Sequence, residues 1–230
     1  RLHKSGVDSF VVNVHHFADK VISYVHETPE LASLDIRFSD ERDLLRDTGG
    51  GIRYAEPLLQ GTPFLVHNVD IVSDLDLGWF MNQVRQDAMA TLLVSWRETQ
   101  RYLLFDDYGR LVGWTNIATG AVRTPFRGLD VSGCHKAAFA GIHYISPEVF
   151  PSFRDIDMNP VDFPLYDACG DVIEESQSPM GQCFPVMDYY LRAAAVYPIY
   201  KAEPDHLTLI DAGKPATLAE AGRFLSEKDL

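Results

Sequence analysis

Phe10-Val11-Val12-Asn13-Val14 is an apolar run rich in β-branched residues, and Ala18, Val21, Ile22 and Val25 follow it at helical spacing. The first pattern predicts a parallel strand covered on both faces; the second predicts an amphipathic helix leading away from it. Pro29 is expected to close that helix. Working outward, Leu34 to Phe38 reads as a second strand, Phe64 to Asn68 as a third ending at Asp70, and Thr91 to Trp96 as a fourth. Between them Asp47-Thr48-Gly49-Gly50-Gly51 reads as a turn into a short helix over 52–59, and Leu77, Phe80, Met81 and Val84 mark another helix. Alternating strands and helices predict an α/β fold of three layers, Rossmann-like, around a mostly parallel mixed sheet.

The middle of the chain changes rhythm. Tyr102 to Asp106, a turn at Asp107-Tyr108-Gly109, and Leu111 to Trp114 read as an antiparallel hairpin flap. Lys136 to Ile145 predicts a strand, and Ser146-Pro147-Glu148 a helix start. Residues 155–179 are polar and proline-bearing, a surface excursion with a short helix. A helix over 185–196, strands at 199–201 and 207–210, and a closing helix over 215–225 complete the pattern. Arg1 to Ser5 reads as the last turn of a helix capped by Gly6. With no repeat, linker or low-complexity tract, residues 1–230 read as a single domain.

The net charge of −13 argues against a nucleic-acid partner, because phosphate contacts need a basic face. A small nucleotide remains open, since a divalent cation can bridge protein carboxylates to phosphate. No apolar run approaches the roughly 20 residues of a membrane helix, so no membrane partner is expected. Three cysteines, Cys134, Cys169 and Cys183, stand at no ligand-like spacing and read as reduced thiols of a cytoplasmic protein. Oligomeric state is not legible.

Three places could carry chemistry. The glycines of Asp47-Thr48-Gly49-Gly50-Gly51 allow backbone N–H groups to approach a planar or anionic ligand; a turn chosen for geometry alone is the plain alternative. Asp70 follows an apolar strand at the carboxyl edge of the sheet, where such folds bind ligands, while Asp74 and Asp76 suit helix capping better. Asp211 ends a late strand before Ala212-Gly213-Lys214-Pro215, and two such carboxylates in one crevice would suit Mg²⁺, although Asp211 could instead cap the last helix. His15 and His16 point to opposite sides of a strand, so one lines the crevice and one meets solvent. Tyr189-Tyr190 reads as core, and Glu174-Glu175 as solvated surface.

These segments, in this order, resemble the sugar-1-phosphate nucleotidyltransferase family. The likeness is greatest to its bacterial branch of N-acetylmuramate 1-phosphate uridylyltransferases and sugar-phosphate guanylyltransferases. The resemblance rests on residues 11–16, 47–52, 64–70, Gly141-Ile142-His143-Tyr144-Ile145-Ser146-Pro147 and Ile210-Asp211-Ala212-Gly213-Lys214-Pro215. It implies a nucleotide-diphospho-sugar transferase fold with a small antiparallel flap. It further implies that Thr48, Gly49, Gly50, Gly51 and Asn68 bind the nucleotide, and that Asp70 and Asp211 are catalytic and bind Mg²⁺. Tyr102, Gly141 and Lys136 fall where the family contacts the sugar phosphate. The implied reaction joins a nucleoside triphosphate, UTP by slight preference, to a sugar 1-phosphate, releasing pyrophosphate, in nucleotide-sugar biosynthesis for the cell envelope.

Two departures qualify the resemblance. The family opens with a strand and a Gly-x-Gly-Thr-Arg loop that binds the triphosphate, and this sequence starts in the helix that follows. A central strand missing from a sheet orphans several buried backbone groups at about 1–3 kcal/mol each, comparable in sum with a domain's ~5–15 kcal/mol. The native protein is therefore expected to contain that strand, and these residues alone, inactive as they stand, to show a gap or a neighbour filling it. The Glu-Lys-Pro segment that many relatives place after the flap is replaced by residues 116–123, leaving Lys136 or Arg123 for the sugar phosphate. Two other readings stay open: a non-catalytic nucleotide-sugar-binding subunit, and a glycosyltransferase consuming nucleotide sugars.

Overall fold

The computed structural model describes residues 2–59 and 61–227. A short 3-10 turn at His3–Ser5 ends on left-handed Gly6 (φ 92°), whose N–H caps the His3 carbonyl; Arg1 lies outside the described residues. In chain order there follow β1 (Ser9–Val14), α1 (Ala18–Glu27), α2 (Pro29–Ala32), β2 (Asp35–Asp40), α3 (Asp47–Tyr54), α4 (Glu56–Leu59), β3 (Phe64–His67), β4 (Ile71–Ser73) and α5 (Leu77–Gln83). Then come β5 (Ala90–Ser95), β6 (Arg101–Phe105), β7 (Leu111–Asn116), β8 (Ala121–Arg123), β9 (His135–Ile145), α6 (Val149–Met158), α7 (Val186–Ala193), β10 (Ile199–Ala202), β11 (Leu209–Asp211) and α8 (Pro215–Glu227).

The main sheet has seven strands in the order β10-β5-β9-β6-β7-β8, with β3 also on β9. Its core is laid on both faces of β5, every residue of which is buried. Leu92 and Val94 pack with Phe153, Tyr189 and Tyr190 from α6 and α7, while Leu93 packs with Phe80 of α5 and Ile142 of β9. Each such side chain contributes about 1.5–3 kcal/mol on leaving water. The two tyrosine hydroxyls, wholly buried, are paired with Ser152 and His143 (both 2.5 Å), as buried polar groups must be.

The α/β architecture and the flap follow the sequence reading, with four local corrections. Pro29 opens α2 rather than simply closing α1, because proline fits the first helical position while the residue before it, Thr28, is driven extended (ψ 110°). Pairing is more antiparallel than the alternation suggests: β3, β5 and β10 run one way, but β9 lies among them in the opposite sense. Residues 155–158 belong to α6, not to the surface excursion. The glycine triplet is not a turn; it sits inside α3.

That helix contradicts intrinsic propensity, which puts glycine about 1 kcal/mol behind alanine per position. Packing is what overrides it. A β-carbon on Gly49 would stand 2.4 Å from the Phe184 ring, and one on Gly50 2.1 Å from the Gln182 carbonyl oxygen. Only a bare backbone lets α3 approach this segment so closely.

Strands β1 and β2 form a separate parallel pair. Among the described residues β1 pairs only with β2, and β3 only with β9. The two strands line a common cavity of about 1910 Å³, and a second one of about 380 Å³ again touches Phe10, Val12, Leu65 and His67.

Candidate active site

Strand β3 stops at His67, and Asn68-Val69-Asp70 turns the chain into β4, the Ile71 amide donating to the Asn68 carbonyl at 3.1 Å. Strand β4 then pairs antiparallel with β11, with Ile71 opposite Asp211. The Ala212 amide donates to the Asp70 carbonyl at 2.7 Å, closing the pair at the acid end. At the other end the Asp74 carboxylate accepts from the Thr208 amide (2.8 Å), so Asp74 ties β4 to the segment before β11 rather than capping a helix. Asp76 does cap α5, accepting from the Trp79 amide at 3.1 Å.

This ladder brings Asp70 and Asp211 together. Asp70 Oδ2 and Asp211 Oδ1 lie 3.0 and 3.1 Å from the point where a β-carbon on Gly213 would stand. Glycine at 213 therefore leaves open the small space that both carboxylates face. The Gly213 amide donates to Asp211 Oδ1 (3.0 Å), and Lys214 Nζ stands 3.8 Å from Asp211 Oδ2 on the exposed rim. Two carboxylates, all-oxygen and partly open to solvent, suit Mg²⁺, which takes one or two protein carboxylates and completes its shell with phosphates and water. Among the described residues no group of three or more His, Cys, Asp or Glu is arranged around a metal position, so phosphate oxygens would have to supply part of that shell.

The glycine triplet divides in two. Gly49 and Gly50 both donate their amides to the Phe184 carbonyl (2.9 and 3.2 Å) and are buried against the segment around it. Their N–H groups are thus already taken, which corrects the expectation that they are open to a ligand. Thr48 and Gly51 line the large cavity, Thr48 Oγ1 also accepting from the Val186 amide at 2.9 Å. Asn68 lines it too, and Asp70 follows two residues on.

Facing Gly51 is a group that sequence reading missed. Asn13 Nδ2 donates to Glu41 Oε1 (2.5 Å) and to the Gly51 carbonyl (3.3 Å). Glu41 is 5% exposed and lies just past the end of β2, as Asp70 lies past β3. An acid closing the second strand, and a polar Asn13 within an apolar one, were the available signals. His15 lines the cavity with Nδ1 on the Glu41 carbonyl (2.6 Å), which fixes the proton on Nδ1, while His16 is exposed.

On the flap side, Gly141 holds a left-handed backbone (φ 77°) against Asn68, whose amide donates to the Gly141 carbonyl at 3.0 Å. Tyr102 accepts from the Thr99 amide at 3.1 Å, and Lys136 is exposed on β9 opposite Leu104. Arg123 is committed to Asp188 (2.6 Å), which removes it as a free phosphate ligand. Beneath the site, burial pushes the His143 imidazole down to about 3, and it is neutral; burial also raises Tyr190 far above the ordinary tyrosine range.

A parallel pair, a mixed sheet with a flap, and strand-end acids over an open crevice make up the nucleotide-diphospho-sugar transferase fold. No family model matches the chain. It is 43% identical over 158 residues to the N-acetylmuramate alpha-1-phosphate uridylyltransferase of Caulobacter vibrioides, a match covering 65% of this chain and 60% of that protein. A second stretch, 87 residues, is 30% identical to a Marinomonas protein named histidinol-phosphate aminotransferase, covering 38% of this chain and 23% of that one. Thus the chain spans less than two thirds of either relative. Among solved structures it superposes on an apo UDP-glucose pyrophosphorylase (TM-score 0.66, 11% identity, all of this chain and 85% of that one). It also superposes on HddC from Yersinia pseudotuberculosis (TM-score 0.61, 15% identity, 97% and 81%). At those identities the superpositions speak for the fold, which is the one that the resemblance implied.

Proposed function

We propose that the protein is a sugar-1-phosphate nucleotidyltransferase that joins UTP to a sugar 1-phosphate and releases pyrophosphate. The observation that carries this reading is the meeting of Asp70 and Asp211 beside Gly213, just past strands whose residues line the large cavity. Uridine is favoured because the Caulobacter relative is a uridylyltransferase.

Asp70 and Asp211 would hold Mg²⁺, with phosphate oxygens of the substrate and water completing its shell. The bound ion would neutralise charge that develops on the phosphate oxygens. A phosphate oxygen of the sugar 1-phosphate attacks the α-phosphorus, the bond from that phosphorus to the bridging oxygen breaks, and pyrophosphate leaves with the electron pair. No proton need be drawn from the attacking phosphate, which is already anionic, so positioning supplies most of the acceleration. Thr48, Gly51 and Asn68 line the nucleotide side, and Tyr102, Gly141 and Lys136 the sugar side. Three free cysteines suit a reducing, cytoplasmic setting.

The space between β1 and β3 reads as the seat of one further strand. Among the described residues the ladder partner of β1 is β2 and that of β3 is β9, and the two cavities share Phe10, Val12, Leu65 and His67 in their linings.

The test is pyrophosphate release by the full-length protein from each nucleoside triphosphate with a panel of sugar 1-phosphates and Mg²⁺. Release with UTP and at least one sugar is expected; release with no pair would refute the assignment.

A further inference from the structure

Strand β9 is irregular at Gly141. Two steps along β5, from Leu92 to Val94, are matched by four along β9, from His143 back to Phe139. A regular strand holds residues four apart at about 13 Å. Here left-handed Gly141 (φ 77°) takes up the excess, and the rings of Phe139 and His143 meet edge to face with centroids 5.4 Å apart. Bulges re-aim side chains in this way next to functional sites. Both rings line the large cavity.

His143 is 2% exposed, and its side-chain hydrogen bond joins Nδ1 to the Tyr190 hydroxyl at 2.5 Å. That hydroxyl is wholly buried, burial keeps it protonated, and it has no second partner among the described residues. Its proton is therefore donated to Nδ1; the reverse arrangement would orphan a hydroxyl hydrogen in the core. With Nδ1 accepting and the ring neutral, the ring proton sits on Nε2. Nε2 has no partner among the described residues, but it is not sealed off from solvent, and it opens on the cavity that His143 lines. The result is a buried donor of fixed direction aimed into that cavity.

Its surroundings select the acceptor. Val66, opposite His143 on β3, and Val186, one turn before Tyr190 on α7, join Phe139 in an apolar lining. A neutral donor in such a setting cannot offset the cost of stripping water from a phosphate, whereas an uncharged oxygen costs far less to bury. Gly141, whose bulge places the ring, belongs to the sugar side in the reading above, and the glycine-bearing helix to the nucleotide side. We infer that His143, oriented by Tyr190, donates its Nε2–H to an uncharged oxygen of the sugar in the sugar 1-phosphate. This depends on the nucleotidyltransferase reading and adds to it a sugar-binding residue and, in Tyr190, a positioning residue.

The experiment uses the full-length protein with glucose, mannose and N-acetylglucosamine 1-phosphates, carrying forward the one that releases pyrophosphate fastest with UTP. In protein labelled with ¹⁵N-histidine, nitrogen-coupled NMR at pH 7 should show His143 neutral with its proton on Nε2. That Nε2–H resonance should move when the sugar 1-phosphate is added and stay in place with UTP. By calorimetry His143→Phe should bind the sugar 1-phosphate about three- to tenfold more weakly, the change that one neutral hydrogen bond carries, with UTP affinity within about twofold of the parent. His143→Gln, which retains a side-chain donor, should recover part of the loss, and a circular-dichroism melt confirms that each variant is folded. A proton on Nδ1, a resonance that answers to UTP alone, or unchanged sugar affinity in the folded variants would overturn the inference and leave the nucleotidyltransferase reading intact. Pyrophosphate release with no sugar 1-phosphate would overturn both.

Discussion

The amide of Ala212 donates to the carbonyl of Asp70 at 2.7 Å, joining the turn after β3 to the end of β11. That single backbone bond fixes how the two acids meet. With Ile71 opposite Asp211, the carboxylates emerge at the same end of a short ladder instead of being carried by separate loops. The site is thus built on paired strands, whose geometry is more precisely held than that of free turns.

Gly213→Ala should damage function without damaging the fold. Its methyl would sit 3.0–3.1 Å from an oxygen of each acid, so both carboxylates must shift by a few tenths of an ångström. Activity is expected to fall at least about tenfold, since small misplacements at reacting centres are costly, with stability within about 0.5 kcal/mol of the parent. Steady-state kinetics and a thermal melt measured together check this.

Alanine substitutions in the glycine triplet should rank by what each methyl meets. Gly50→Ala drives a β-carbon to 2.1 Å from the Gln182 carbonyl oxygen, a backbone atom that cannot swing away, and should cost about 2–3 kcal/mol or more. Gly51→Ala meets only side-chain atoms at 3.1–3.2 Å, and its helix-propensity gain of about 1 kcal/mol should offset much of the strain. Urea denaturation of the two variants would read the order directly.

His143 should make the protein acid-sensitive. Its imidazole ordinarily titrates near 6.5, and burial lowers it to about 3 in the fold. Because the folded value is the lower one, the unfolded chain binds the extra proton between these limits. Stability is complete above about pH 6.5 and is lost as pH falls toward 3, at about 1.4 kcal/mol per unit at most. Urea midpoints taken from pH 7 to pH 4 should show this slope, and His143→Phe should flatten it by a corresponding amount.

Filling the space between β1 and β3 should protect both strands. In a protein carrying the additional strand, amides along the facing edges of β1 and β3 are expected to exchange slowly with deuterium. In a polypeptide of these 230 residues alone they should exchange fast, well ahead of β5, which is paired on both sides. Equal protection in the two would contradict the strand assignment.

Much of this was legible in sequence because it depends on local pattern. The apolar β-branched runs at 10–14, 64–68 and 91–96 gave strands within a residue or two, and the acids after the runs at 64–68 and 207–210 marked Asp70 and Asp211. What escaped depends on contacts remote along the chain. The helical state of Gly49 to Gly51 is set by the segment 182–184, and no window around the triplet contains that information. The antiparallel sense of β9 comes from where the flap returns the chain, not from the composition of 135–145. The three-residue strand β4 is too short to show a period, yet its pairing with β11 makes the acids converge. Glu41 was passed over because its neighbours Asp40, Arg42 and Asp43 make it look like one more solvated charge.

The central claim is that Asp70 and Asp211 share one divalent cation with the nucleotide. Its most direct test is Mn²⁺ binding, followed by electron paramagnetic resonance, to the full-length protein with a non-hydrolysable UTP analogue, compared with Asp70→Asn and Asp211→Asn. The account predicts one nucleotide-dependent Mn²⁺ in the parent, and in each variant a large loss of that binding together with the loss of pyrophosphate release. Tight nucleotide-dependent Mn²⁺ binding and undiminished turnover in either variant would contradict it.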